Sequence, residues 1–292
     1  MDDASTQQQA QAAQAANKPS FVSNKKLIYA AVAAIIIIVA AALALAGSGS
    51  SSGGSQLSQF DNQQVQQQVL AQLAIPDNIS SAVRAGFASN FPTKISNASQ
   101  LKLNGKPEVL YIGAEYCPYC AVERWALVIA LMRFGSFTGL EYMTSSATDS
   151  YANTPTFTFA NATYTSPYIS FVSRELTNNK INSSTGQYTP LQHLNSSEQA
   201  LFAKYDPSGS IPFIDYANES MQIGSNYNDP TILAGMNWSA IAGMLRNPSS
   251  APAQALVGSA NLVTAQICLI DNNTPASVCG QGYITTIESQ LG

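Results

Sequence analysis

Cys117-Pro118-Tyr119-Cys120 is the pattern in this chain that carries the most chemistry. Two cysteines separated by two residues can close a small disulfide ring, and here they fall where a short apolar strand, 109–113, gives way to an apolar helical pattern beginning near Ala121. At a helix start the free backbone N–H groups and the positive end of the helix dipole stabilise a thiolate. Cys117 is therefore the candidate nucleophile. Cys120, one turn further in, is the candidate resolving thiol that attacks a mixed disulfide and releases the substrate. The same tetrapeptide could instead form an inert disulfide or half of a zinc site. Zinc requires a second ligand pair, and the chain offers only Cys268, Cys279 and the single histidine, His193. A ten-residue gap between the later cysteines is not a zinc knuckle, so no metal is expected.

A second landmark is Ser210-Ile211-Pro212-Phe213-Ile214-Asp215, where a proline opens a short apolar run after a helix predicted at Ser196–Tyr205. Proline cannot donate to an interior ladder, so it fits the first residue of a strand or a turn with a cis peptide bond. Val109-Leu-Tyr-Ile-Gly-Ala-Glu-Tyr-Cys-Pro-Tyr-Cys120 followed by Ala203-Lys-Tyr-Asp-Pro-Ser-Gly-Ser-Ile-Pro-Phe-Ile-Asp215 resembles the thioredoxin-like superfamily. More narrowly, the part of the chain after the apolar segment at 27–46 resembles an uncharacterised archaeal family known as domain of unknown function 929, a label that gives no activity. The resemblance implies a central sheet flanked by helices, with the redox pair at the start of the first core helix and Pro212 in a cis-proline loop facing it. It also implies a substrate site formed by Pro118, Tyr119, Ile211 and Pro212, the backbone beside Pro212 pairing with an extended substrate segment. No cofactor is expected.

The chain departs from that pattern in one respect that bears on mechanism. Thioredoxins carry a buried acid six residues before the first cysteine, and this chain has Tyr111 there. Glu115, Glu123 and Arg124 lie near the motif; the acids would raise the Cys117 pKa and the arginine would lower it, so the sign of the shift stays open. Glu123 and Arg124 are expected on a solvated helix face. The Pro-Tyr dipeptide resembles that of glutaredoxins, but no glutathione-binding cluster accompanies it.

Residues 27–46 are unbroken and apolar, long enough to cross a bilayer core of about 30 Å. Lys18, Lys25 and Lys26 precede this segment and no lysine or arginine follows until Arg84. The positive-inside rule thus places the N-terminus in the cytoplasm and the main domain outside the cell. A cleaved signal peptide is the competing reading, but its apolar core is usually shorter. Glycosylation sequons at Asn78, Asn97, Asn161, Asn182, Asn195, Asn218, Asn237 and Asn272 all follow the span. With 10% charged residues and a net charge of -4 there is no basic patch, and nucleic-acid binding is not expected.

These elements predict an α/β chain with a thioredoxin-like fold, an insertion between the CxxC helix and the cis-Pro strand, a C-terminal helical extension, and one preceding transmembrane helix. The expected boundaries are a disordered tail at 1–26, the span at 27–46, a Gly/Ser linker at 47–56 and a helical region at 57–100. The thioredoxin-like domain follows at 101–250, with its insertion at about 146–192, and the extension at 251–292. Spacing predicts one amphipathic helix over 57–73 and a short one around 79–88. Residues 142–145 read as a continuing sheet strand, and 156–159 and 168–174 as an added strand pair; Tyr151, Tyr164, Tyr168 and Phe157 of the insertion could line a groove beside Cys117 or pack against the core. Cys268 and Cys279 read as a structural disulfide closing a short loop, with a second shuttle pair as the alternative. The expected function is a membrane-anchored thiol-disulfide oxidoreductase that donates or reshuffles disulfides in secreted or cell-surface proteins. The alternative is a cell-surface binding module that keeps the CxxC as a staple.

Overall fold

Among residues 57–291, which the computed structural model describes, the chain folds into a mixed α/β arrangement. Helices α1 (Gln67–Leu73) and α2 (Asp77–Val83) lead into strands β1 (Thr93–Lys94), β2 (Lys102–Leu103) and β3 (Lys106–Gly113), followed by helix α3 (Pro118–Leu131). Then come β4 (Ser136–Thr138), β5 (Glu141–Thr144), β6 (Pro155–Thr158), β7 (Thr163–Thr165), β8 (Ser170–Glu175), β9 (Thr177–Ile181) and β10 (Tyr188–Pro190). Helix α4 (Ser196–Tyr205), strands β11 (Phe213–Tyr216) and β12 (Ser220–Ile223), and helices α5 (Trp238–Met244), α6 (Gly258–Ile270), α7 (Ala276–Cys279) and α8 (Gly282–Leu291) complete the order. The tail, membrane span and linker expected at 1–26, 27–46 and 47–56 lie outside the described residues.

A six-stranded mixed sheet runs β1-β12-β11-β3-β2, with β8 also paired to β3. β11 lies antiparallel to β3, Phe213 opposite Ile112, while β8 lies parallel to it, Gly113 opposite Glu175. A parallel neighbour requires a crossover, which α3 and β4 to β7 supply. Strand alternation then sorts the side chains by face. Val109, Tyr111, Ile214 and Tyr216 join the larger core with α3 and α6, whereas Leu110, Ile112 and Phe213 meet Phe202 of α4. Helix α3 is buried around its whole circumference, every residue of it except Tyr119 being buried, the charged Glu123 and Arg124 included. Ala253–Ile270 is apolar and long enough to cross a membrane, yet 89% of it is buried inside the protein, where α6 packs on α3 and α8.

Four expectations are corrected by the fold. The strands predicted at 156–159 and 168–174 do not pair with each other, and 142–145 does not continue the central sheet. Instead β5 pairs with β6 and β4 with β7, while β8 joins β3. The two-stranded sheets outside the central one therefore fall into two blocks, 136–165 and 177–190, on either side of β8. Alternation identifies a strand but not its partner; here β6 is fixed on α3, with Thr156 Oγ1 donating to Ala121 O at 2.7 Å and Trp125 Nε1 to Pro155 O at 2.8 Å. The helix predicted over 57–73 is broken into a 3-10 turn at Ser58–Phe60 and α1. Between them Asn62 N donates to Tyr142 O and Val65 N to Leu140 O, each at 2.9 Å, so the β5 region draws this stretch out of the helix. The second helix ends earlier than predicted, at Val83, because Arg84 takes a φ of 56°.

Candidate active site

Strand β3 delivers the chain to a tight turn in which the Cys117 N–H donates to Ala114 O at 3.2 Å. Cys117 is the N-cap of α3, and its Sγ accepts the Cys120 N–H at 3.2 Å. Pro118 occupies the first turn, where its missing N–H is not needed. Both cysteines are free thiols; Cys117 is 5% exposed and Cys120 fully buried. The Ile211-Pro212 peptide bond is cis, and Ile211 O lies 4.0 Å from Cys117 Sγ. The fold thus gathers Cys117, Pro118, Tyr119, Cys120, Ile211 and Pro212 in one place, with Tyr119 and Ile211 half-buried and the two prolines buried.

The two thiols are shifted in opposite directions. The Cys120 side chain donates a hydrogen bond to Cys117 and holds its pKa below that of an ordinary thiol, assisted by the Cys120 backbone N–H and Arg124, against the effect of burial. Burial raises Cys120 well above the ordinary value, and the hydrogen bond to Cys117 adds to this. The open sign at Cys117 is therefore downward.

Glu123 and Arg124 are not on a solvated face, contrary to the sequence expectation; neither is exposed at all. A helix packed on all sides offers no solvent-facing stripe, so its charges must find partners inside. Arg124 lies one turn beyond Cys120, donates from Nη2 to Ala114 O at 3.0 Å and places Nη1 3.6 Å from Glu175 Oε1. Glu123 turns the other way, accepting the Asn226 N–H at 2.7 Å, and burial pushes it up to about 7. Glu115 accepts from Thr158 Oγ1 at 2.5 Å; burial, with nearby Glu175 contributing, pushes it up to about 7 as well. Tyr111 lies beneath the motif with its ring folded over Gly113, where an added Cβ would sit 2.1 Å from the phenol oxygen. Tyr111 Oη, Arg124 Nε and Nη1, and both Glu175 carboxylate oxygens are buried without a direct hydrogen bond to protein. Thr158 of β6 and Glu175 of β8 escaped the sequence reading because the strands that bring them here have no fixed distance from the motif.

Other candidate residues lie elsewhere. Cys268 and Cys279 are joined in a disulfide between α6 and α7. Of the sequons, Asn78, Asn97, Asn161, Asn182, Asn195, Asn237 and Asn272 are exposed, whereas Asn218 is half-buried and its Nδ2 donates to Ser99 O at 3.0 Å. His193 is exposed in the loop before α4. A groove of about 660 Å³ lies against α4 on the sheet face away from α3, lined by residues that include Leu101, Leu110 and Leu201. Among the described residues no cluster of His, Cys, Asp and Glu could hold a metal.

The family described as Domain of unknown function (DUF929) matches residues 92–269. No curated protein and no solved structure matches the chain.

Proposed function

Because the chain belongs to the DUF929 family, to which no activity is attached, we propose its function from the thiol site itself: a membrane-anchored, extracytoplasmic thiol-disulfide oxidoreductase on a thioredoxin-like fold. The observation that carries this reading is the arrangement of Cys117 at the N-cap of α3, with its Sγ bonded to the Cys120 N–H at 3.2 Å and the Ile211 carbonyl 4.0 Å away. A lowered first thiol and a raised second thiol are what stepwise exchange requires.

In the oxidising direction a substrate thiolate attacks Cys117 Sγ of the Cys117-Cys120 disulfide, forming a mixed disulfide and releasing Cys120 as a thiolate that takes up a proton. A second substrate thiolate attacks the substrate sulfur. The substrate disulfide forms and Cys117 leaves as a thiolate, which its lowered pKa favours. In the reverse direction the Cys117 thiolate attacks a substrate disulfide and expels one substrate thiolate; Cys120, after losing its proton to solvent, attacks Cys117 Sγ of the mixed disulfide, closing the Cys117-Cys120 disulfide and releasing the second substrate thiolate. Reshuffling combines the two directions with no net electron transfer, while net oxidation needs an external disulfide to regenerate the pair. The substrates are secreted or cell-surface proteins, the expected span at 27–46 holds the domain at the membrane, and the exposed sequons suit an exterior face. The Cys268-Cys279 disulfide serves as a structural clamp.

The test is to equilibrate the full-length chain in graded glutathione redox buffers and map its thiols by mass spectrometry, alongside trapping with Cys120→Ala. A Cys117-Cys120 couple above roughly -230 mV, with Cys117 adducts in the variant, supports an oxidase or isomerase. A pair that stays oxidised below roughly -300 mV and yields no adducts means a structural staple, and the surface-module reading takes over. The 5% exposure of Cys117 is the observation that keeps that second reading in view.

A further inference from the structure

We propose that two tyrosine pairs flanking Cys117 select extended substrate segments that carry an aromatic or aliphatic residue beside the reacting cysteine. This rests on the oxidoreductase reading and adds a substrate class to it. Tyr116 and Tyr119 bracket Cys117 in the chain. Tyr116 stacks on Tyr188 with ring centroids 4.1 Å apart and planes 6° apart, and Tyr119 meets Tyr151 edge-on at 5.9 Å. The two partners come from the two separate inserted blocks, Tyr188 from β10 and Tyr151 from the loop between β5 and β6. Each insertion therefore reaches back to the thiols and brings a tyrosine with it.

These rings do not serve the core. Phe157 and Phe159, close by in the same insertion, are buried to 0% and 1% exposure, whereas Tyr151 is 40% exposed and Tyr116, Tyr119 and Tyr188 are half-buried. Tyr151 also sits at φ 54°, a conformation that bulky residues seldom adopt. Its carbonyl accepts from Ser145 Oγ at 3.2 Å and Thr154 Oγ1 at 2.7 Å, which holds the backbone that carries the ring. Half-exposed tyrosine faces bind apolar and aromatic side chains while the hydroxyl stays wet. Beyond Tyr151 a groove of about 280 Å³, lined by Leu57, Ala152, Thr154, Pro230 and Ala234, leaves room for such a side chain. Asp149 lies near Tyr116 and Asp229 near Tyr119, so the rim disfavours acidic neighbours.

The test uses the reduced full-length chain and follows the rate of thiol-disulfide exchange with three probes: bis(2-hydroxyethyl) disulfide, a peptide disulfide with Tyr and Leu flanking the cysteine, and the same peptide with Asp at those places. The Tyr/Leu peptide is expected to react about tenfold faster than the Asp peptide. Tyr151→Ala and Tyr188→Ala are expected to reduce that preference about three- to tenfold, and Tyr151→Phe and Tyr188→Phe to retain it. The exposure of Tyr151 means its removal leaves no core cavity, so that variant folds even if Tyr188→Ala does not. Equal peptide rates, or a preference that survives Tyr151→Ala, overturn this inference alone. Failure of even the small disulfide to react at Cys117 overturns the oxidoreductase reading and this inference together.

Discussion

Arg124 Nη1 lies 3.6 Å from Glu175 Oε1, and neither side chain has any solvent exposure. One residue comes from the redox helix and the other from the end of β8, so the pair ties the parallel strand to the motif from beneath. Removing one partner strands the other as an unpaired buried charge. We expect Arg124→Met to lower the unfolding free energy by about 3–5 kcal/mol, and the double variant with Glu175→Leu to recover most of that loss. Denaturant unfolding of the four proteins in the cycle measures it; a double variant as unstable as the single would mean the ion pair is not the source of the loss.

Stability should fall as pH rises from about 4.5 to 7. Burial pushes Glu115, Glu123 and Asp215 up to about 7, so between their ordinary values and 7 the folded state binds more protons than the unfolded state. Their stabilising contribution is complete below the unfolded values and lost as pH passes through 7. Thermal unfolding should therefore give a higher midpoint at pH 5 than at pH 8, and Glu123→Gln should reduce the difference. A higher midpoint at pH 8 would show that other groups govern the pH dependence.

Cys117 should be alkylated by iodoacetamide in the native reduced protein at a pH where an ordinary thiol is still protonated. Cys120, buried and raised, should react only after unfolding. Peptide mapping distinguishes the two, and equal labelling of both would contradict the assigned order of attack.

Replacing Cys268 and Cys279 together by Ser should cost about 2–3 kcal/mol while leaving native Cys117 labelling in place, since the bridge spans only 11 positions and joins α6 to α7. Loss of redox turnover at unchanged Cys117 labelling would instead favour the shuttle-pair alternative.

Much of the site is legible in the chain because its determinants are local. A proline one position into a helix after a capping cysteine, an apolar run before it and Ile211-Pro212 opening a strand are each fixed by neighbours in sequence. The bounds of α4 were legible for the same reason, since Asn195 and Glu198 form a capping box at its start. The narrower family resemblance, carried by the part of the chain after the apolar segment at 27–46, agrees with the family match over 92–269.

Features that depend on partners far away along the chain emerge only on folding. Residues 168–174 read as a strand, but pairing with β3 rather than β6 follows from a crossover that no local pattern encodes. Glu123 and Arg124 look like surface charges until α6 and the loops around them close over the helix, and Glu175 and Asn226 then supply their partners. Tyr188 carries no signal in sequence and Tyr151 reads there as groove or core; both become neighbours of the tyrosines beside Cys117 only through tertiary contacts. The sequence alone determined which residues could do chemistry and on which elements they sit. Burial, and hence the direction of each pKa shift and the identity of each partner, came from packing, because desolvation and charge pairing act through space and not along the chain.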